Sequence, residues 1–172
     1  MRPVAPIMLL FFLTLGIIVP GAMATNLGLE AGKHAPSVQL PDLTGKTISL
    51  ADAKGKVVLL NFWSSRCAPC VAELPSLNRL YAELKDAGLQ VLAVSIDASD
   101  ALVFEIVRAK NITFPVLRDA EREVYFDQYA GPSLPATYLI DKNGVIREIF
   151  TGPQEWDASA MKSKILKVLQ TP

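Results

Sequence analysis

Apolar positions fall into two kinds of run along this chain. Val57-Val58-Leu59-Leu60-Asn61-Phe62-Trp63 is almost continuously apolar, which predicts a strand buried on both faces. Leu74, Leu77, Leu80, Tyr81 and Leu84 then recur at helical spacing, and Gly88 marks the stop of that helix. Leu89 to Ile96 predicts a second buried strand. Asp97 to Lys110 predicts a helix with Val103, Ile106 and Val107 inward. Phe114 to Leu117 fits a short strand, and Ala120 to Tyr129 a helical stretch. Ala136–Ile140 and Val145–Phe150 flank Asp141-Lys142-Asn143-Gly144, whose Asn-Gly pair predicts a tight hairpin turn. A last helix runs from Asp157, a good N-cap, to Leu169, with Met161, Ile165, Val168 and Leu169 inward. Before the first long strand, Pro36, Pro41 and Gly45 punctuate short β-like stretches, including Lys46 to Leu50. Strands that alternate with helices and close on a hairpin and a helix predict one α/β domain. Its mixed sheet would be covered by helices on both faces.

Composition changes that picture at one end. The chain has 172 residues, about the length of one domain with an appendage, and is 51% hydrophobic. The excess lies in residues 1–24. Arg2 precedes an apolar stretch from Ile7 to Val19, Pro20-Gly21 breaks it, and Ala22-Met23-Ala24 supplies small residues for cleavage. This is the pattern of a secretory signal peptide, or of an uncleaved N-terminal membrane anchor, ahead of a domain at 25–172. The run is shorter than the roughly 20 residues of a spanning helix. Lys+Arg and Asp+Glu each total 17, so no charge excess points to nucleic acid.

The only cysteines are Cys67 and Cys70, which excludes a disulfide scaffold. A bridge between them closes too short a loop to stabilise the fold much, so a reactive pair is the better reading in an oxidising compartment. The pair sits where a buried strand meets a helix. Unsatisfied N–H groups there favour a thiolate on Cys67, and Cys70 follows one turn later. Pro69 fits an early helical position. Haem attachment would need His after the second Cys, where Val71 stands. A zinc site would need further ligands, and the only histidine is His34, read as a surface residue. Glu73, three residues after Cys70, is either a first-turn acid favoured by the helix dipole or a proton relay to the sulfurs; spacing alone leaves both open. Pro135, at the head of a strand, would be trans by default.

Taken together these residues resemble the exported, thioredoxin-like thiol–disulfide oxidoreductases of the TlpA/ResA type. The resemblance covers nearly all of 25–172. It runs through Ala35-Pro36, Leu43-Thr44-Gly45-Lys46, Gly55 to Trp63, the cysteines, Glu73-Leu74-Pro75, Val94 to Asp97, Leu134 to Thr137 and Leu139-Ile140-Asp141. It implies a thioredoxin fold with an N-terminal β extension and an inserted helix and strand over about 97–117. Cys67 is then the exposed nucleophile and Cys70 the buried resolving thiol. Glu73 is the acid beside them, and Pro75 matches the family's helix kink. Pro135 becomes a cis-proline packed against the disulfide, and the backbone of Leu134 pairs with an extended substrate. Trp63, Arg66, Leu134 and Pro135 are the expected substrate contacts. Asn61 stands where cytoplasmic thioredoxins carry a buried Asp, which leaves Glu73 as the proton carrier. Arg66 departs from the Trp usual in this family, and a cation there would favour the thiolate. The implied protein is a periplasmic monomer that reduces disulfides of exported proteins, with cytochrome c maturation one setting, and is recharged by a membrane thiol carrier. No metal or organic cofactor is implied. A copper-binding assembly protein and a thiol peroxidase of the same fold are the alternatives.

Overall fold

The structure is a computed structural model that describes residues 29–131 and 133–171; the expected leader lies outside them. Each long apolar run becomes a central strand. β3 (Val57–Trp63) is buried along its whole length and pairs in parallel with β4 (Leu89–Ser95). β5 (Val116–Arg118) extends the parallel side beyond β4. On the other side β6 (Ala136–Ile140) pairs antiparallel with β3, and β7 (Ile146–Thr151) with β6. The sheet order is therefore β5-β4-β3-β6-β7. A small hairpin of β1 (Gln39–Pro41) and β2 (Thr47–Ser49) forms the N-terminal extension, tied to the sheet edge by a bridge between Asp42 and Leu117.

The long helices are distributed differently from the expectation. α1 (Ala68–Leu84), α2 (Ala101–Ala109) and α3 (Ser159–Gln170) all pack on one face, through Leu74, Leu77 and Leu80, Val103, and Ile165 and Leu169. The cause is topological. The β3–α1–β4 and β4–α2–β5 crossovers step along the sheet in the same direction, so two right-handed crossovers place both helices on the same side. The other face is covered by the N-terminal hairpin, a short 3-10 helix at Leu50–Ala53 and one π-helical turn, Val124–Gln128.

That turn replaces the helix expected over Ala120–Tyr129. Arg122 and Ala130, both at positive φ, bound it, and the buried Asp119 carboxylate accepts from Val124 N and Tyr125 N. The wide turn lets Tyr125 and Tyr129 reach the sheet together. There they join Phe62 and Tyr138, with ring centroids 4.9–6.0 Å apart. Tertiary aromatic packing has overridden local helix propensity.

Two aspartates read as helix starts also find other partners. Asp97 leaves α2 to begin at Ala101 and instead accepts from three serines. Asp157 pairs with Arg79, and α3 begins at Ser159. The hairpin turn is wider than the Asn-Gly pair suggests. Only Gly144 has positive φ, and Asp141 Oδ1 accepts from both Asn143 N and Val145 N. Gly144 Cβ would meet only His34 Nδ1, at 3.8 Å, whereas a Cβ on Gly131 (φ 41°) would lie 2.6 Å from the Phe126 ring. Gly144→Ala should therefore cost about 1 kcal/mol of backbone strain. Gly131→Ala should cost more, about 1–3 kcal/mol, because a ring must move as well. Urea unfolding of the two variants checks the order; equal losses would place the Gly131 cost in the backbone alone.

Candidate active site

β3 delivers the chain from the sheet centre to its end, and Ser64-Ser65-Arg66 turns it into α1. Cys67 is the N-cap of α1, and its Sγ accepts from Cys70 N at 3.3 Å. Pro69 has no N–H to offer, so the Cys70 amide is the donor that reaches the sulfur. The two cysteines form a disulfide. Cys67 is half-buried, whereas Cys70 is 0% exposed in the helix-side core. Only Cys67 is therefore open to a molecule approaching from solvent.

Glu73 is 4% exposed, which excludes the solvent-facing first-turn acid. Its carboxylate collects donors from two other parts of the fold. Oε1 accepts from Asn61 Nδ2 on β3 at 2.9 Å. Oε2 accepts from Gln154 N at 2.9 Å and Trp156 Nε1 at 3.1 Å, both in the segment between β7 and α3. Ser76, one turn further along α1, accepts from Trp156 N and holds that segment down. Asn61 Nδ2 also donates to Thr137 Oγ1 on β6, at 2.8 Å. Burial pushes the Glu73 carboxyl above its ordinary range, and the bonds from Gln154, Asn61 and Trp156 only partly oppose it. Every donor is neutral, so no cation fixes the carboxyl in its charged form.

The Leu134–Pro135 bond is cis, as the resemblance implied and against the trans default. Ala136 pairs with Phe62, so β6 register sets Leu134 and Pro135 at the end of the sheet that carries the cysteines. Leu134 is half-buried against both faces of the core, and the Pro135 carbonyl accepts from Gly152 N at 2.9 Å. Arg66 is exposed at the rim. His34 bridges to Val145, beside the turn that joins β6 to β7, which places it at the far end of the sheet from the cysteines. Among the described residues no three His, Cys, Asp or Glu side chains lie close enough together to hold a metal ion.

Residues 31–149 match the model of the AhpC/TSA family. The chain belongs to that family. It is also 37% identical over 155 residues to "Thiol-disulfide oxidoreductase ResA" of Bacillus thuringiensis, covering 85% of this chain and 89% of that protein. The Bacillus subtilis protein of the same name is 35% identical over 147 residues, 85% of this chain and 82% of its own length. A crystal structure of a putative thiol:disulfide interchange protein DsbE from Chlorobium tepidum superposes with a TM-score of 0.76 at 33% identity. The match covers 83% of this chain and 99% of that one. The fold is the thioredoxin fold, and the protein is a thiol–disulfide oxidoreductase.

One expected substrate contact has to be corrected. Trp63 is 0% exposed, because strand alternation turns it onto the helix side beneath α1, and it offers no surface to a substrate. Sequence reading also missed Gln154 and Trp156, which lie more than 80 residues from Glu73 with no local pattern to link them.

The folded protein holds the Glu73 proton more tightly than the unfolded chain does. Its contribution to stability is therefore complete below the ordinary value of 4.5 and is lost as pH rises through the raised folded value. Glu73→Gln removes this titration. Urea denaturation of the oxidised proteins should show the stability difference moving in favour of the variant as pH rises from 4.5. A difference that stays constant with pH would overturn burial as the dominant influence on Glu73.

Proposed function

We propose that this oxidoreductase is a reductant of disulfides in exported proteins, using Cys67 as nucleophile, Cys70 as resolving thiol and Glu73 as proton acceptor. The observation that carries the reading is the buried Glu73 carboxyl one helical turn beyond a buried Cys70. In the dithiol form the Cys67 thiolate, favoured by the helix terminus and the Cys70 amide, attacks one sulfur of the substrate disulfide. A mixed disulfide forms and the first substrate thiolate leaves. Cys70 then gives its proton to Glu73, and its thiolate attacks Cys67 Sγ, which expels the second substrate thiolate. Two electrons pass to the substrate, and the Cys67–Cys70 disulfide of the structure is the spent state. A thiol carrier in the membrane would return the electrons.

Substrate would lie along the Leu134–Pro135 edge. Among the described residues neither backbone polar group of Leu134 has a backbone partner, so an extended segment can pair there. Residues 1–24, read as a leader, support a site outside the cytoplasm, periplasmic in a two-membrane cell and anchored if the leader is retained. Among the described residues no helix is long and apolar enough to cross a membrane. The position of Cys67 favours dithiol exchange over peroxidase chemistry, since its partner sulfur is already bonded to it within the same helix end. Copper binding would need a ligand near the cysteines, and His34 lies at the opposite end of the sheet.

Cys67→Ser should abolish insulin reduction, and Cys70→Ser should accumulate the mixed disulfide, detectable by mass spectrometry. Glu73→Gln should slow resolution of the mixed disulfide while leaving its formation near the wild-type rate. Persistent turnover in Cys67→Ser would overturn the assignment. Arg66 beside Cys67 favours the thiolate and hence the reduced form. Arg66→Trp should lower the reduction potential by about 10–20 mV, the equivalent of about 0.5–1 kcal/mol for two electrons. Equal potentials in glutathione titrations would remove Arg66 from redox tuning.

A further inference from the structure

A cleft of about 270 Å³ opens beside the Cys67 loop, walled by Ser64, Ser65, Arg66, Asp97, Leu102 and Arg122 among others. Its frame is rigid. Asp97 accepts from Ser65 N and the Ser95 hydroxyl on one oxygen, and from the Ser64 and Ser65 hydroxyls on the other, at 2.7–2.9 Å. The Ser64 hydroxyl also accepts from Arg66 N, so the backbone that carries Arg66 is held in place. Burial alone would raise the Asp97 carboxyl, but the Ser65 amide and the serine hydroxyls outweigh it and hold it below the ordinary carboxylate range.

Arg122 enters from the opposite wall. Its backbone stands at φ 62°, and its Nε donates to the Ile96 carbonyl at 3.1 Å, which pins the head group at the cleft. That φ belongs to the turn ahead of the π-helical segment, where Arg122 N donates to the Asp119 carbonyl at 3.0 Å, so the backbone that carries the guanidinium is fixed by the fold. Among the described residues neither Arg66 nor Arg122 pairs with a carboxylate. The nearby Asp100 is committed to Arg118. Asp97 is the one acid in the wall, and both its oxygens are already filled by neutral donors. Two exposed guanidinium groups thus share one cleft, and one of them, Arg66, is the chain neighbour of Cys67.

We propose that this cleft is a recognition subsite for an acidic side chain that flanks the target disulfide of the substrate. This rests on the reading of Cys67 as the attacking sulfur. A guanidinium presents paired N–H donors that match a carboxylate, so the subsite discriminates by charge and by shape. Leu102, 47% exposed on the same wall, offers apolar contact to the stem of such a side chain.

The test uses the reduced full-length protein and three disulfide-closed peptides that differ only in Glu, Gln or Lys before the first cysteine. The second-order rate constant for peptide reduction is measured with each. The Glu peptide should react about three- to tenfold faster than the Gln peptide at low salt, and the Lys peptide slower than both. Added salt should narrow the gap. Arg66→Gln and Arg122→Gln should each lower the Glu-to-Gln ratio, the double variant should bring it to about one, and Arg66→Lys should keep part of it. Because the readout is a ratio, a general change in thiol reactivity or folded fraction cancels. Reduction of the Gln peptide with a Glu-to-Gln ratio of one in the wild type, or a ratio untouched in the double variant, overturns the subsite. Failure to reduce even the Gln peptide overturns the reductase reading, and the subsite with it.

Discussion

A carboxyl group buried in an apolar core is the constraint around which this protein is built. Burying Glu73 without partners would cost several kcal/mol, so the fold must bring donors to it. They come from β3 through Asn61 and from the segment between β7 and α3 through Gln154 and Trp156. Those bonds form only when α1 is seated on the sheet and the chain after β7 has crossed over α1. The polar contact therefore depends on the whole helix-side packing being in register. It also lies one turn of α1 beyond Cys70.

The central strand makes this possible by breaking its own pattern once. β3 is apolar at every position except Asn61, which alternation turns toward α1 on the same side as Leu59 and Trp63. The next strand over supplies Thr137 on that side, so a short polar line crosses the sheet beneath Glu73. The same strand ends at the loop that carries Arg66 and Cys67. One element thus sets both the buried proton site and the exposed sulfur, and the distance between them is fixed by helix geometry rather than by a mobile loop.

What could be read in the sequence follows from how local each cause is. β3, β4, α1 and α3 were legible because their burial is written in periodicity, and the cysteines because their chemistry depends on spacing. The π-helical turn was not, since it answers to Phe62 and Tyr138 on distant strands. Asp97 and Asp157 have the composition of helix caps, but serines and an arginine far along the chain compete for them and win. The apolar run already marked Trp63 as part of a buried strand, and its burial beneath α1 overrides the substrate contact that the resemblance implied. The Glu73 carboxyl was visible as a candidate, yet the donors that decide its proton affinity were not.

The chemistry of those donors explains why a neutral Asn61 suits this site. A lysine or arginine at that position would hold Glu73 in its charged form. An aspartate would add a second buried charge beside the first. Asn61 instead donates through Nδ2 to both Glu73 and Thr137, and its Oδ1 has no protein partner among the described residues. When Glu73 takes up a proton, one of its oxygens becomes a donor and needs an acceptor. An amide carries both functions on one planar group, so a half-turn would offer Oδ1 where Nδ2 now stands, and the Thr137 hydroxyl can donate as readily as accept. Both protonation states of Glu73 can then find a partner in Asn61, which a fixed charge could not provide.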